Sequence, residues 1–195
     1  MGRIKSALEI ALEKTESIKG DKASINQFEA KQKGKRLANQ FLDENKVSIE
    51  EEIKKSPKGE QESLKQGIFE ALISQLTVPD TEEDLSRVEN AAKGIQFIVN
   101  NHRFSSMVKQ LSQILRQYMN EAAQYEEAIK KQYAPKLRQK EEELARRLGR
   151  EIKLDPFQDP EFVTFLNQNM NALKENYQAA ISQVKEAASR FFEPK

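Results

Sequence analysis

Apolar residues return every three or four positions along most of this chain, most regularly between Val108 and Ile129. Val108, Leu111, Leu115, Tyr118, Ala122, Tyr125 and Ile129 alternate steps of three and four, the rhythm of a heptad seam. Lys109, Gln113, Arg116, Glu121 and Glu126 fill positions between them. A helix built this way is wet on every side but one, and that stripe has to be covered by another helix.

The same pattern divides the rest of the chain. Ile4, Leu8, Ala11, Thr15 and Ile18 predict an amphipathic helix over 3–19, stopped by Gly20. A second helix is expected over 22–55, with Ile25, Phe28, Leu37, Phe41, Leu42, Ile49 and Ile53 as its apolar side and a polar middle weakened by Gly34. Ser56-Pro57-Lys58-Gly59 breaks it. Leu64, Ile68, Leu72 and Leu76 carry a third helix over 60–76. Asp80 and Glu83 stand at capping-box spacing before a fourth, which Leu85, Val88, Ala92, Ile95 and Val99 continue. A turn near Asn101 leads into the seam helix, expected to begin near Ser105 or Ser106. Pro135 should kink or break it, Leu137, Leu144 and Leu148 extend it more thinly, and Gly149 ends it. Asp159, Pro160 and Glu161 make a strong start for a last helix reaching Phe192. That helix is long enough to fold back on the 106–149 rod as an antiparallel hairpin.

Composition sharpens this into an all-α, elongated body with thin cores. Ile, Leu, Val and Phe supply 47 of the 195 residues, and Ala, Glu, Lys, Leu and Arg supply 91. The first figure lies just above the range of disordered chains and the second near that of long helices. Acid and base almost cancel, 31 against 32, so no long-range field gathers nucleic acid or an anionic bilayer. There is no cysteine, which removes disulfides and thiolate metal sites. No apolar run reaches the length of a spanning helix, and Glu9, Glu13, Lys14 and Glu16 interrupt any signal core at the N-terminus. A cytoplasmic protein is the expectation.

The chemistry of a catalytic site is largely missing. The one histidine, His102, has Val99 three residues before it, so even a single Glu-x-x-His motif of a di-iron bundle fails. The carboxylate runs at 50–52, 82–84, 126–127 and 141–143 read as solvated faces. Lys31, Lys33, Lys35 and Arg36 form the densest basic run. Without a glycine at phosphate-loop spacing or an interleaved aromatic, a solvated helix face is favoured there over an anion patch. Phe157, Phe162 and Phe165 read first as packing at one end of the hairpin, and second as a docking cluster. No catalytic, metal or cofactor-binding residue is expected.

The sequence therefore predicts an N-terminal helical portion, 1–79, and a long-helix hairpin, 80–195, as two parts or as one continuous domain. Function is expected to be non-enzymatic: a helical interaction or scaffold protein. It would self-associate, most simply as a dimer, through the seam of Val108, Leu111, Leu115, Tyr118, Tyr125 and Ile129, and bind a further protein. The rival is a peripheral binder of nucleic acid or an anionic membrane surface, using 3–19 and the 31–36 run.

Overall fold

Local signals set most of the helix ends. In the computed structural model the backbone is described for residues 7–44 and 47–192, and side chains for 24–43 and 47–192. The first four residues of the expected 3–19 helix lie outside these. The described residues form six α-helices, α1 (Ala7–Glu44), α2 (Ile49–Lys55), α3 (Gln61–Ser74), α4 (Glu82–Val99), α5 (His102–Leu148) and α6 (Pro160–Phe191), a 3-10 turn at Pro156–Gln158, and no strand. The protein is all-α.

The stop expected at Gly20 and the break allowed for at Pro135 do not occur. Helix α1 runs through Gly20 and α5 through Pro135. Glycine costs a helix interior about 1 kcal/mol but forbids nothing. Pro135 is exposed, so the carbonyl it leaves without a donor is left to solvent. Conversely, the helix expected over 22–55 is divided: α1 ends at Glu44, and Ser48 caps α2 by accepting from the Glu51 N–H.

Two boundaries shift by a few residues. The capping box uses Thr81 and Asp84 rather than Asp80 and Glu83. The Asp84 N–H donates to Thr81 Oγ1 (3.1 Å), and the Thr81 N–H donates to the Asp84 carboxylate (3.0 Å). Asp80 instead accepts from Lys174 of α6 at 2.7 Å, a tertiary bond that local spacing does not encode. Helix α5 begins at His102, earlier than expected. Asn100 turns the chain in the left-handed region (φ 46°), and the Asn101 side chain accepts from the N–H groups of Arg103 and Phe104. At the other end Gly149 (φ 67°) closes α5 and Asp159 caps α6, as the sequence predicts.

Helices α1 and α3 meet at an unusually close crossing. A Cβ on Gly67 would fall on the backbone carbonyl of Lys31, and one on Gly34 on the backbone carbonyl of Leu64. Neither neighbour is a side chain that could swing away. Around this crossing lies the larger core, taking Leu37 and Ala38 from α1, Leu64, Ile68 and Leu72 from α3, and Leu85, Val88 and Ile95 from α4. Phe104, Val108, Leu111 and Leu115 of α5 and Ile181, Val184 and Ala188 of α6 complete it, so it draws on both sides of Pro79.

Helix α6 runs back along α5. The Tyr118 and Tyr177 rings are 5.0 Å apart, Tyr125 donates to Asn169 at 3.3 Å, and Tyr133 packs on Phe162 at 5.2 Å. Numbers rise on one helix as they fall on the other, which is antiparallel packing. Ile129, Tyr133, Phe162 and Leu166 form a second, small core toward the far end. At 47 residues, α5 is about 70 Å long.

Candidate interaction surface

The seam is covered within the chain. Val108, Leu111, Leu115 and Tyr118 are buried in the larger core and Ile129 in the smaller. Tyr125 is the exception. It is exposed and touches α6 through its hydroxyl. At that level Tyr177 carries the polar link, donating to Glu121. Burial, and then the hydrogen bond to a carboxylate, push the Tyr177 phenol up to about 12.

The basic run is split by the α1–α3 crossing. Gly34 faces α3, and Lys31 and Lys35 reach over it to Glu70, at 2.6 and 3.2 Å. Burial opposes ionisation of Glu70, but the bonds from the two lysines outweigh it and hold its carboxyl below the ordinary range. Lys33 and Arg36 are exposed. Half of the candidate anion patch is thus occupied by the protein's own carboxylate. Nothing in the run itself signals this, because Glu70 is 35 or more positions away.

A polar clasp closes the far end of the α5–α6 pair. Lys140 donates to Asp159 at 2.7 Å and also to Glu161, while the Tyr133 hydroxyl donates to Asp159 at 3.0 Å. The bond from Lys140, against the cost of burial, holds the Asp159 carboxyl below its usual range. Bonds to Asp159 and Glu161 push the Lys140 ammonium up. Burial, and then the bond to Asp159, raise the Tyr133 phenol. A cleft of about 350 Å³ lies beside the clasp, lined by Lys140, Leu144, Arg147, Leu154 and Asp159 among others. Its central ammonium is already engaged by two carboxylates. The Phe cluster divides here as well. Phe162 is fully buried, Phe165 half-buried, and Phe157 exposed beneath Lys130, whose ammonium lies 5.2 Å from the ring centre.

Sequence reasoning misplaced a different pair. Ile25 and Phe28, expected on the buried side of a helix over 22–55, are 54% and 62% exposed. Every residue from Ser24 to Glu29 is exposed, and the first buried residue of the described α1 side chains is Ala30. The cause is again the glycine crossing, which fixes where α1 meets α3 and leaves the turns before it uncovered. Phe97 is also exposed, in an open groove with Lys93, His102 and Lys109 where α4 turns into α5.

Among the described residues no group of three or more His, Asp or Glu side chains is placed to hold a metal ion, and no helix is long and apolar enough to cross a membrane. Residues 50–190 match the model of a family of unknown function, DUF6657, and the chain belongs to that family. Neither a curated protein nor a solved structure matches it.

Proposed function

We propose that this chain is a non-enzymatic, cytoplasmic interaction protein, a helical body that holds out the early turns of α1 for a protein partner. The observation that carries this reading is the exposed step of Ile25 and Phe28, on consecutive turns of a helix whose next turns are anchored by the Gly34–Gly67 crossing. Helices draw most of their stability from packing an apolar face. Here such a face is presented on a firmly seated support, and a rigid apolar anchor is the usual centre of a binding surface.

Two further observations support binding over catalysis. The prominent polar cluster, Lys140 with Asp159 and Glu161, is satisfied internally and clasps two helices. The seam is already covered by the chain's own helices, which shifts the partner-facing role to α1. An anionic polymer or membrane is a weaker partner, because Glu70 occupies Lys31 and Lys35.

The test is a photo-crosslinking amino acid placed at Phe28, with Glu142 on the exposed side of α5 as the control position. The reading expects a discrete protein adduct at 28 in cells and none at 142. Equal labelling at both positions, or none at 28, overturns it.

A further inference from the structure

A groove of about 800 Å³ lies between the last turns of α4 and the first turns of α5. Glu89, Lys93 and Phe97 follow one another one turn apart on α4, and His102, Lys109 and Arg116 two turns apart on α5, so each set shares a helix face. The Glu89 carboxylate accepts two bonds from Arg116, both at 2.9 Å, and ties the helices at one end. The turn at Asn100 and Asn101 joins them at the other. Between these ties Lys93, Phe97, His102 and Lys109 line the space together with Gln96 and Asn101, and no carboxylate lines it. At other crossings a cation meets an acid: Lys35 meets Glu70, Arg87 Asp43, Lys140 Asp159 and Lys174 Asp80. Here two helices bring cations to one shared space, and a bound anion would relieve their mutual repulsion. The end of α5 is not the seat for that anion, because the Asn101 side chain already takes the N–H groups of Arg103 and Phe104. Phe97, 43% exposed, adds a flat apolar face to the same groove, which a simple inorganic anion would leave bare.

We propose that this groove binds a nucleoside di- or triphosphate, with Lys93, His102 and Lys109 on the phosphates and the base stacked on Phe97. Stacking on an aromatic ring accepts any base, so phosphate and ring, rather than base identity, define the ligand. The volume lies within the range of small-molecule clefts, roughly 300–1,000 Å³. The site is separate from the exposed step of α1 and does not depend on it.

Isothermal titration calorimetry of the full-length chain with magnesium-free ADP is expected to give one site with a Kd below about 1 mM. Adenosine, which lacks the phosphates, and inorganic pyrophosphate, which lacks the base, should each bind at least about tenfold more weakly. Lys93 and Lys109 are exposed, so replacing both by glutamine should leave helicity unchanged while raising the Kd for ADP about tenfold or more. Lys33→Gln, at an exposed lysine of α1 outside the groove, should leave that Kd as it was. Phe97→Leu should weaken ADP about tenfold and leave pyrophosphate unaffected, a split that general charge attraction does not produce. Absence of ADP binding, pyrophosphate binding as tight as ADP, or an equal loss in the Lys33→Gln chain overturns the proposal.

Discussion

Replacing Gly67 by alanine asks whether α1 and α3 really meet backbone to backbone. In an ordinary helix interior the change stabilises by up to about 1 kcal/mol, because alanine is the better helix former. At Gly67 the new methyl would fall on the carbonyl of Lys31, with the Cα of the same residue 3.0 Å away. No rotamer change relieves this, so the helices have to part. Overpacking a core costs about 1–3 kcal/mol, and a backbone neighbour places this site at the upper end. After the propensity gain, a net loss of about 2 kcal/mol is expected. At about 2–4 °C per kcal/mol for a chain of this size, that is a fall in Tm of roughly 4–8 °C. Gly34→Ala should behave alike. The double variant should cost less than the sum, since parting the helices for one methyl makes room for the other. Gly94→Ala is the graded control: its neighbours are the ends of Leu72, Phe41 and Ile49, at 2.7, 3.2 and 3.4 Å, which can give way. Gly59→Ala, with nothing within 4 Å, should be near neutral. Urea unfolding followed by helical circular dichroism reads all of these. A stabilised Gly67→Ala variant would refute the close crossing.

Three other perturbations have definite signs. Leu115→Ala, at a fully buried site, should cost about 2–5 kcal/mol, equally at all protein concentrations because the seam is internal; a loss that fades on dilution would place it between chains. Asp159→Ala removes the cap of α6 and should cost about 1–2 kcal/mol. The folded-state carboxyls of Asp159 and Glu161 are held down by Lys140, so their contribution is present above the ordinary carboxylate range and lost as pH falls through the depressed values. Lys140→Met should therefore lose less stability than the parent between pH 7 and pH 3, and equal losses would show the clasp to be idle. Tyr177, raised to about 12, contributes stability that is complete below about pH 10 and vanishes as pH climbs through 12. Ultraviolet titration should show a late phenolate component, to which Tyr118 and Tyr133 also contribute because burial raises both; Tyr177→Phe should shrink it by one tyrosine's absorbance, and an unchanged late amplitude in that variant would refute the assignment.

What could be read from the chain was what is local. Asp159-Pro160-Glu161 and Gly149 announce their helix ends because caps act within a few residues. The heptad steps from Val108 to Ile129 mark a face that needs covering, but they do not say that the chain's own helices, rather than a second copy, lie on it; Tyr125 is the departure. What escaped is pairwise and distant. Gly34 looks like a weak point in a helix until Gly67 is brought against it. Lys31 and Lys35 look like half of an anion patch until Glu70 arrives from α3. Ile25 and Phe28 have the spacing of buried residues, and no local signal says that the partner helix starts one turn too late to reach them. Gly20 does not stop α1 and Pro135 does not break α5, because a residue that weakens a helix does not end it when the flanking turns continue.

The two cores on α5 have a consequence for how the molecule opens. Ile129, Tyr133, Phe162 and Leu166 share no buried residue with the larger cluster, and Tyr125 and Asn169 lie on the stretch of α5 and α6 between them. Such a segment can unfold on its own while the remainder stays closed, and its amide protons then exchange ahead of the rest. Helix α5 is continuous in sequence and in shape, yet its two halves answer to different energies. The distal half behaves as a clip, released when the clasp of Lys140 and Asp159 lets go, long before the bundle behind it is disturbed.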